Sequence, residues 1–262
     1  MLPADACVSI VVLSEDAGPD GRATVEALVR KMLDLVPSEH RARDRVVFLP
    51  LDPHEGEVMP SGSVWKSKTP TDHDARVRLQ RFVARKLSQA GTYVVFHVDG
   101  DQPWSKRAKS PQRDEFDQFK VRVAQSADRG RARVANARRS TTKAESDAAL
   151  ELHIDRLVLL CPFRNIEAWL YQNVQCAIEI CRRKHGGRHV EALRAWEAKR
   201  HELDELEPPE LHGCFKDCVH KKHNHELASK GFPIRVAYDV KKSFAESADR
   251  LIAALLQALP GH

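Results

Sequence analysis

Apolar residues in this chain fall into short runs of strand length, separated by stretches of helical period. Cys7 to Leu13 (CVSIVVL) is a continuous apolar run, and Asp20 to Val36 then repeats Val25, Leu28, Val29, Met32, Leu33 and Val36 at helical spacing. Arg45 to Leu51 (RVVFLPL) predicts a second strand. Asp72 to Ala90 predicts a second amphipathic helix, through Val77, Leu79, Phe82, Val83 and Leu87. Tyr93 to Val98 is the third strand and, after a long charged helical section, Arg156 to Cys161 (RLVLLC) the fourth. Ile166 to Cys181 predicts one further helix. Ser243 to Leu259 predicts a last one, with Phe244, Ala248, Leu251, Ile252, Leu255 and Leu256 on its apolar face.

Strands that are apolar on both faces and alternate with helices imply a mostly parallel sheet covered on both sides. The expected fold is therefore α/β, a four-stranded sheet between helices. Right-handed crossovers would bring the carboxyl ends of all four strands to one edge, where open α/β folds build their sites. Residues 1–184 form the expected α/β core, including a basic helical insert at about 102–155. Residues 185–262 form a helical extension packing on it.

Composition narrows the class. With 262 residues, 42% hydrophobic and 30% charged, the chain can bury a sizeable core. No apolar stretch approaches the ~20 residues that span a membrane. The N-terminal MLPADACVSIVVLSED lacks a basic leader and reads as the first strand of a cytoplasmic protein. Cys7, Cys161, Cys176, Cys181, Cys214 and Cys218 read as reduced, mostly buried thiols.

The chemistry gathers at the strand ends. Strand one ends in Glu15 and Asp16, and strand three in Asp99 and Asp101 around Gly100; Glu167 stands in the first turn after strand four. Residues two apart on a strand share a side, so Asp99 and Asp101 can face one point. Gly100 lets the backbone turn or be approached closely. Carboxylates converging on one edge repel unless something positive lies between them, and Mg²⁺ or Mn²⁺ with oxygen ligands answers that need. A turn with helix-capping acids, or a solvated loop, is the plainer alternative for each acid alone.

The stretches VVLSED at 11–16 and VVFHVDGD at 94–101 resemble the glutamate and Asp-x-Asp elements of the Toprim domain of topoisomerases, DnaG-type primases and OLD-family nucleases. LLCPFRNIEAWLYQN at 159–173 resembles an element of the RloB-like Toprim proteins of restriction and phage-defence loci. The late KKHNHELASKGFP and KKSFAES segments also resemble the C-terminal portion of those proteins. The resemblance implies Glu15 as metal ligand or general acid/base, Asp99 and Asp101 as metal-binding aspartates, and Glu167 as a further acidic ligand. Toprim glutamates are commonly followed by Gly; here Asp16 follows, so Asp16 or Asp20 can share the work.

Positive charge lies around these acids in sequence. Lys66 and Lys68 sit in the loop after strand two, beside Trp65. Lys106, Arg107, Lys109 and Arg113 follow the aspartates, and Arg129, Arg131, Arg133, Arg138 and Arg139 come after them. Such residues neutralise phosphates, and Trp65 or Trp104 can stack on a base. A solvated helix face is the alternative. Arg164 is a candidate to stabilise charge on a phosphate, with the resemblance as its main support. His97 alternates with Asp99, so it either orients the site or is a hydrogen-bonded core histidine. Cys214, Cys218, His220, His223 and His225 have zinc-ligand chemistry but not finger spacing, so a structural role is favoured.

The expected function is a Mg²⁺- or Mn²⁺-dependent nuclease acting on DNA or RNA, in an anti-phage defence or restriction-type system. Two alternatives stay open. One is nucleotidyl transfer on the same scaffold. The other is a non-catalytic module that senses nucleic acid or a nucleotide and regulates an ATPase partner; the chain has no Walker-type loop of its own. A homodimer is left open.

Overall fold

The computed structural model describes residues 8–15, 19–51, 64–66, 69–102, 104–109, 111–138, 152–205 and 221–259. Four strands form one sheet: β1 (Val8–Ser14), β2 (Val46–Phe48), β3 (Thr92–His97) and β4 (Leu157–Leu160). All pair in parallel, in the order β2-β1-β3-β4. Among the described residues the α-helices of six residues or more are α1 (Pro19–Met32), α2 (His73–Leu87), α3 (Pro111–Arg138), α4 (Val174–His185), α5 (Val190–Ala198), α6 (Asn224–Ser229), α7 (Ile234–Asp239) and α8 (Ser243–Leu256). The architecture is α/β and Rossmann-like.

The alternation along each strand decides what covers each face. Val8, Ile10 and Val12 of β1, Tyr93 and Val95 of β3, and Val158 and Leu160 of β4 join one core with α1, α4 and α8. The intervening residues Val11, Leu13, Val94, Phe96, Leu157 and Leu159 join a second core with α2 and the start of α3. Both faces are dry, which is why these strands read as unbroken apolar runs. The C-terminal helices belong to the first core: Leu227, Phe244, Leu251 and Leu255 are buried in it. Tyr93 Oη of β3 donates to the Ala254 carbonyl of α8 at 3.2 Å.

Several expected boundaries differ: β2 stops at Phe48 rather than Leu51, α1 at Met32 rather than Val36 and α8 at Leu256 rather than Leu259. The helix anticipated over 166–181 is broken. A single turn, Glu167–Leu170, is followed by Asn173, whose side chain caps α4 by accepting from Cys176 N at 3.3 Å. The same side chain donates to the carbonyls of Leu227 and Lys230, at 2.9 and 2.8 Å, fixing the loop after α6. Continuous apolar periodicity concealed this break, because the turn and α4 are buried in the same core. The second helix ends at Leu87, before Gly91 turns the chain into β3 with φ +65°.

Order β2-β1-β3-β4 has a consequence for function. The chain leaves β1 toward β2, then crosses back so that β3 lies on the other side of β1. The carboxyl ends of β1 and β3 therefore flank the point where the winding reverses, where doubly wound sheets open a crevice. Glu15 and Asp99 stand there. Among the described residues no helix is long and apolar enough to cross a membrane.

Candidate acidic site at the carboxyl edge of the sheet

Glu15 is the first residue past β1. Its N–H donates to the His97 carbonyl at 2.9 Å, which continues the β1–β3 ladder by one bond and fixes the residue at the sheet edge. Its Oε2 accepts from the backbone N–H of Asp99 at 3.1 Å, and its Oε1 lies 3.3 Å from Lys66 Nζ. Burial pushes the Glu15 carboxyl above the ordinary glutamate range, while the Lys66 ammonium and the Asp99 N–H hold back part of that rise.

Asp99 is oriented from two sides. Its Oδ1 accepts from Ile166 N at 3.0 Å and lies 3.5 Å from Nε2 of His97. His97 is wholly buried, and its Nδ1 lies 3.3 Å from Ser14 Oγ. A chain of polar groups thus runs from the last residue of β1 through His97 to the Asp99 carboxylate. Ser14 was not anticipated; its signal was its place, directly before Glu15 at the end of an otherwise apolar run.

Asp101 does not continue the alternation that made it a same-side partner of Asp99. β3 ends at His97, and Asp101 has φ +55°, a left-handed conformation tolerated by aspartate. Its Oδ2 accepts from Gln112 Nε2 at 2.6 Å and lies 4.0 Å from Lys66 Nζ. Asp101 nevertheless stays at the edge because the backbone is zipped to the loop after β4. Gly100, Asp101 and Gln102 N–H donate to the carbonyls of Pro162, Arg164 and Phe163, at 3.0, 3.0 and 2.8 Å. The need for Gly100 is steric. A Cβ there would stand 2.4 Å from Phe163 O and 2.6 Å from Pro162 O.

Lys66 reaches the acids because its neighbour is anchored. Trp65 is only 1% exposed and packs edge-on against Phe96, Phe116 and Phe119, with ring centroids 5.7, 6.5 and 6.3 Å away. The expectation that Trp65 stacks on a base is thereby corrected: the indole fills the core between β3 and α3. A tryptophan followed by Lys66, Ser67 and Lys68 reads as a surface residue, and only the fold shows where the ring goes.

The other expected residues fall in several places. Glu167 is 4% exposed and its Oε1 accepts from Asn224 Nδ2 at 3.0 Å, so it is fastened to α6 rather than to the other acids. Arg164 contributes its carbonyl to Asp101 N, and its side chain is half-buried. Lys106 is exposed on the short helical segment Trp104–Lys109. Arg107, in that segment, and Arg131 and Arg133, on α3, have side chains outside the described residues, as has Trp104; Asp16, Lys68, Cys214, Cys218 and His220 lie wholly outside them. His223 is buried edge-on to His185, and His225 is exposed. Cys161, Cys176 and Cys181 are free and buried, as expected of reduced thiols.

Three carboxylates stand at one edge, and two of them, Glu15 and Asp101, lie beside a positive charge. That charge is supplied by Lys66, between Glu15 and Asp101. Among the described residues no group of three or more His, Cys, Asp or Glu side chains is placed so that it could hold a metal ion. No protein-family model matches the chain, and neither a curated protein nor a solved structure matches it.

Proposed function

We propose that the chain is a Toprim-like, Mg²⁺- or Mn²⁺-dependent phosphodiesterase that cleaves DNA or RNA, with Glu15, Asp99 and Asp101 as its working carboxylates. One observation carries this reading: Glu15 and Asp99 meet at the reversal point between β1 and β3, joined by the 3.1 Å bond from Asp99 N–H to Glu15 Oε2. Carboxylates clustered only as helix caps would have no reason to be tied across the two central strands.

Glu15, Asp99 and Asp101 are the residues that would hold the metal, with Glu167 adjacent in the chain to Ile166, whose N–H donates to Asp99. A divalent ion held by them would supply Lewis acidity and a source of activated water for attack on phosphorus. The protein's own part is placement. His97 and the Ile166 N–H fix the Asp99 carboxylate, Gln112 fixes Asp101, and Gly100 lets the two loops close on each other. Lys66 and Arg164 at the edge, with Lys106 and the Arg-rich α3 beside it in sequence, suit a polyanionic substrate. A role in phage defence or restriction, alone or with an ATPase, follows from the resemblance of the motifs.

The test is incubation of purified protein with labelled single- and double-stranded DNA and RNA in Mg²⁺ or Mn²⁺, with and without nucleoside triphosphates. Cleavage lost at least a hundredfold in Asp99→Asn supports the proposal. Labelled nucleotide joined to the substrate instead would assign a transferase. Binding without turnover in either metal would assign a sensing module.

A further inference from the structure

β4 ends the sheet on one side, so only one of its edges meets a neighbouring strand. Val98 N–H donates to the Leu160 carbonyl, which makes Val158 and Leu160 the β4 residues bonded to β3. The backbone groups of Leu157, Leu159 and Cys161 therefore point outward. Cys161 N–H does so by donating to Ser247 Oγ of α8 at 3.2 Å, and Leu157 N–H turns back to the Ile154 carbonyl. The Leu157 carbonyl and both backbone groups of Leu159 have no partner among the described residues, although Leu159 is only 8% exposed. They face a cleft of about 460 Å³, walled by α3 from Arg113 to Lys120 and by α8 from Arg250 to Gln257. Seven helical residues span about 10 Å, the length of about three residues of extended chain.

The cleft has a polarity. Arg113 stands 4.9 Å over the Phe163 ring, just past β4, and Arg250 follows Ser247 by about one turn, so both lie at the carboxyl end of the strand. They share one carboxylate: Arg113 Nη1 is 2.9 Å from Glu246 Oε1, and Arg250 Nη2 bonds the same oxygen. One carboxylate cannot neutralise two guanidiniums, and Arg113 Nε and Arg250 Nη1 are buried without a hydrogen-bond acceptor. The two side chains are 23% and 34% exposed, so an anion in the cleft can reach them. Toward the amino end the charges are mixed, with Asp117, Lys120 and Asp155.

We propose that this cleft is a docking site for the carboxyl terminus of a partner protein, which adds to β4 as a short parallel strand with its terminal carboxylate on Arg113 and Arg250. The partner's N–H groups would donate to the Leu157 and Leu159 carbonyls, and Leu159 N–H to the partner carbonyl between them. Pairing with the free edge supplies affinity that depends little on the partner's side chains. The arginines select the end of a chain over an internal segment. The parallel direction follows from the polarity, because a strand running with β4 brings its last residue to the arginines. The inference stands apart from the metal reading and needs no metal.

The experiment selects hexapeptides, randomised at their last three positions and ending in a free carboxylate, on the full chain in the presence of a chelator. The retained peptides are then measured by fluorescence anisotropy. Amidation of the peptide's carboxyl end is expected to weaken binding at least tenfold, as is Arg250→Gln. Methylating backbone nitrogens of the peptide one at a time should cost binding in alternation, the signature of strand pairing. Ala253→Trp, on the exposed rim of the α8 wall, should block the cleft while leaving both arginines in place. Melting curves verify that each variant is folded. Retention of no peptide, or equal affinity in folded Ala253→Trp, would overturn the inference, as would indifference to amidation. Displacement of the peptide by equimolar acetate or inorganic phosphate would also overturn it, and assign the cleft to a small anion.

Discussion

Replacing Gly100 with alanine separates a steric requirement from a merely flexible turn. The added Cβ would sit 2.4 Å from Phe163 O and 2.6 Å from Pro162 O, both backbone atoms of the loop after β4 that cannot swing aside. Relief requires the β3 and β4 loops to part, weakening the three bonds from Gly100, Asp101 and Gln102 N–H. Overpacking of this kind costs about 1–3 kcal/mol. Each of the three weakened bonds adds up to about 1 kcal/mol, giving roughly 1–6 kcal/mol in all. At about 2–4 °C per kcal/mol for a chain of this size, melting should fall by roughly 2–24 °C. Gly231→Ala is the control. Its Cβ would meet nothing within 4 Å, so only its φ of +61° opposes the change, at about 1–2 kcal/mol. Thermal melts of the two variants, read by circular dichroism, decide the matter. If Gly100→Ala melted no lower than Gly231→Ala, the claimed contact between the loops would be refuted.

Asn173→Ala removes the cap of α4 and leaves the carbonyls of Leu227 and Lys230 without their donor. Urea unfolding should show a loss of about 2–4 kcal/mol, with no change in the m-value. Asp204 is a buried carboxylate that accepts from Ser243 N at 2.9 Å and from Ser243 Oγ, at the start of α8. Burial raises its pKa, and the Ser243 bonds offset only part of the rise. A raised folded-state pKa makes its contribution most favourable below the unfolded value. Stability is then lost as pH climbs through the folded one. Asp204→Asn should therefore gain on the wild type as pH rises from the ordinary aspartate range through that raised pKa, and hold a constant difference above it. Melting temperatures across that range, for both proteins, would show parallel curves if Asp204 did not titrate this way.

Much of the scaffold was legible in the sequence because parallel strands buried on both faces need unbroken β-branched and aromatic runs. Val8–Ser14, Thr92–His97 and Leu157–Leu160 carry that signature within a residue or two. The acids at the strand ends were legible for the same reason: a charge that interrupts such a run marks its exit from the core. Gly100 was readable as a point of close approach, though not what approached it. What could not be read depends on contacts between segments far apart in the chain. Trp65 turns inward because Phe96, Phe116 and Phe119 leave a place for its ring. Glu167 is taken by Asn224, 57 residues later, and the partner of Ser243 is Asp204, 39 residues earlier. The strand alternation that paired Asp99 with Asp101 failed because β3 stops at His97, two residues before the first aspartate.

The most direct measurement is the initial rate of phosphodiester cleavage as Mn²⁺ is added, for the wild type and Glu15→Gln on the same substrate. Both proteins are first matched by melting temperature. Glu15→Gln preserves an oxygen able to accept from Asp99 N–H and removes only the charge. The rate is expected to rise saturably with Mn²⁺ in the wild type, vanish on chelation, and fall at least a hundredfold in the variant. Equal rates in the two proteins, or cleavage that survives chelation, would contradict the assignment of this sheet edge as a metal-dependent phosphodiesterase site.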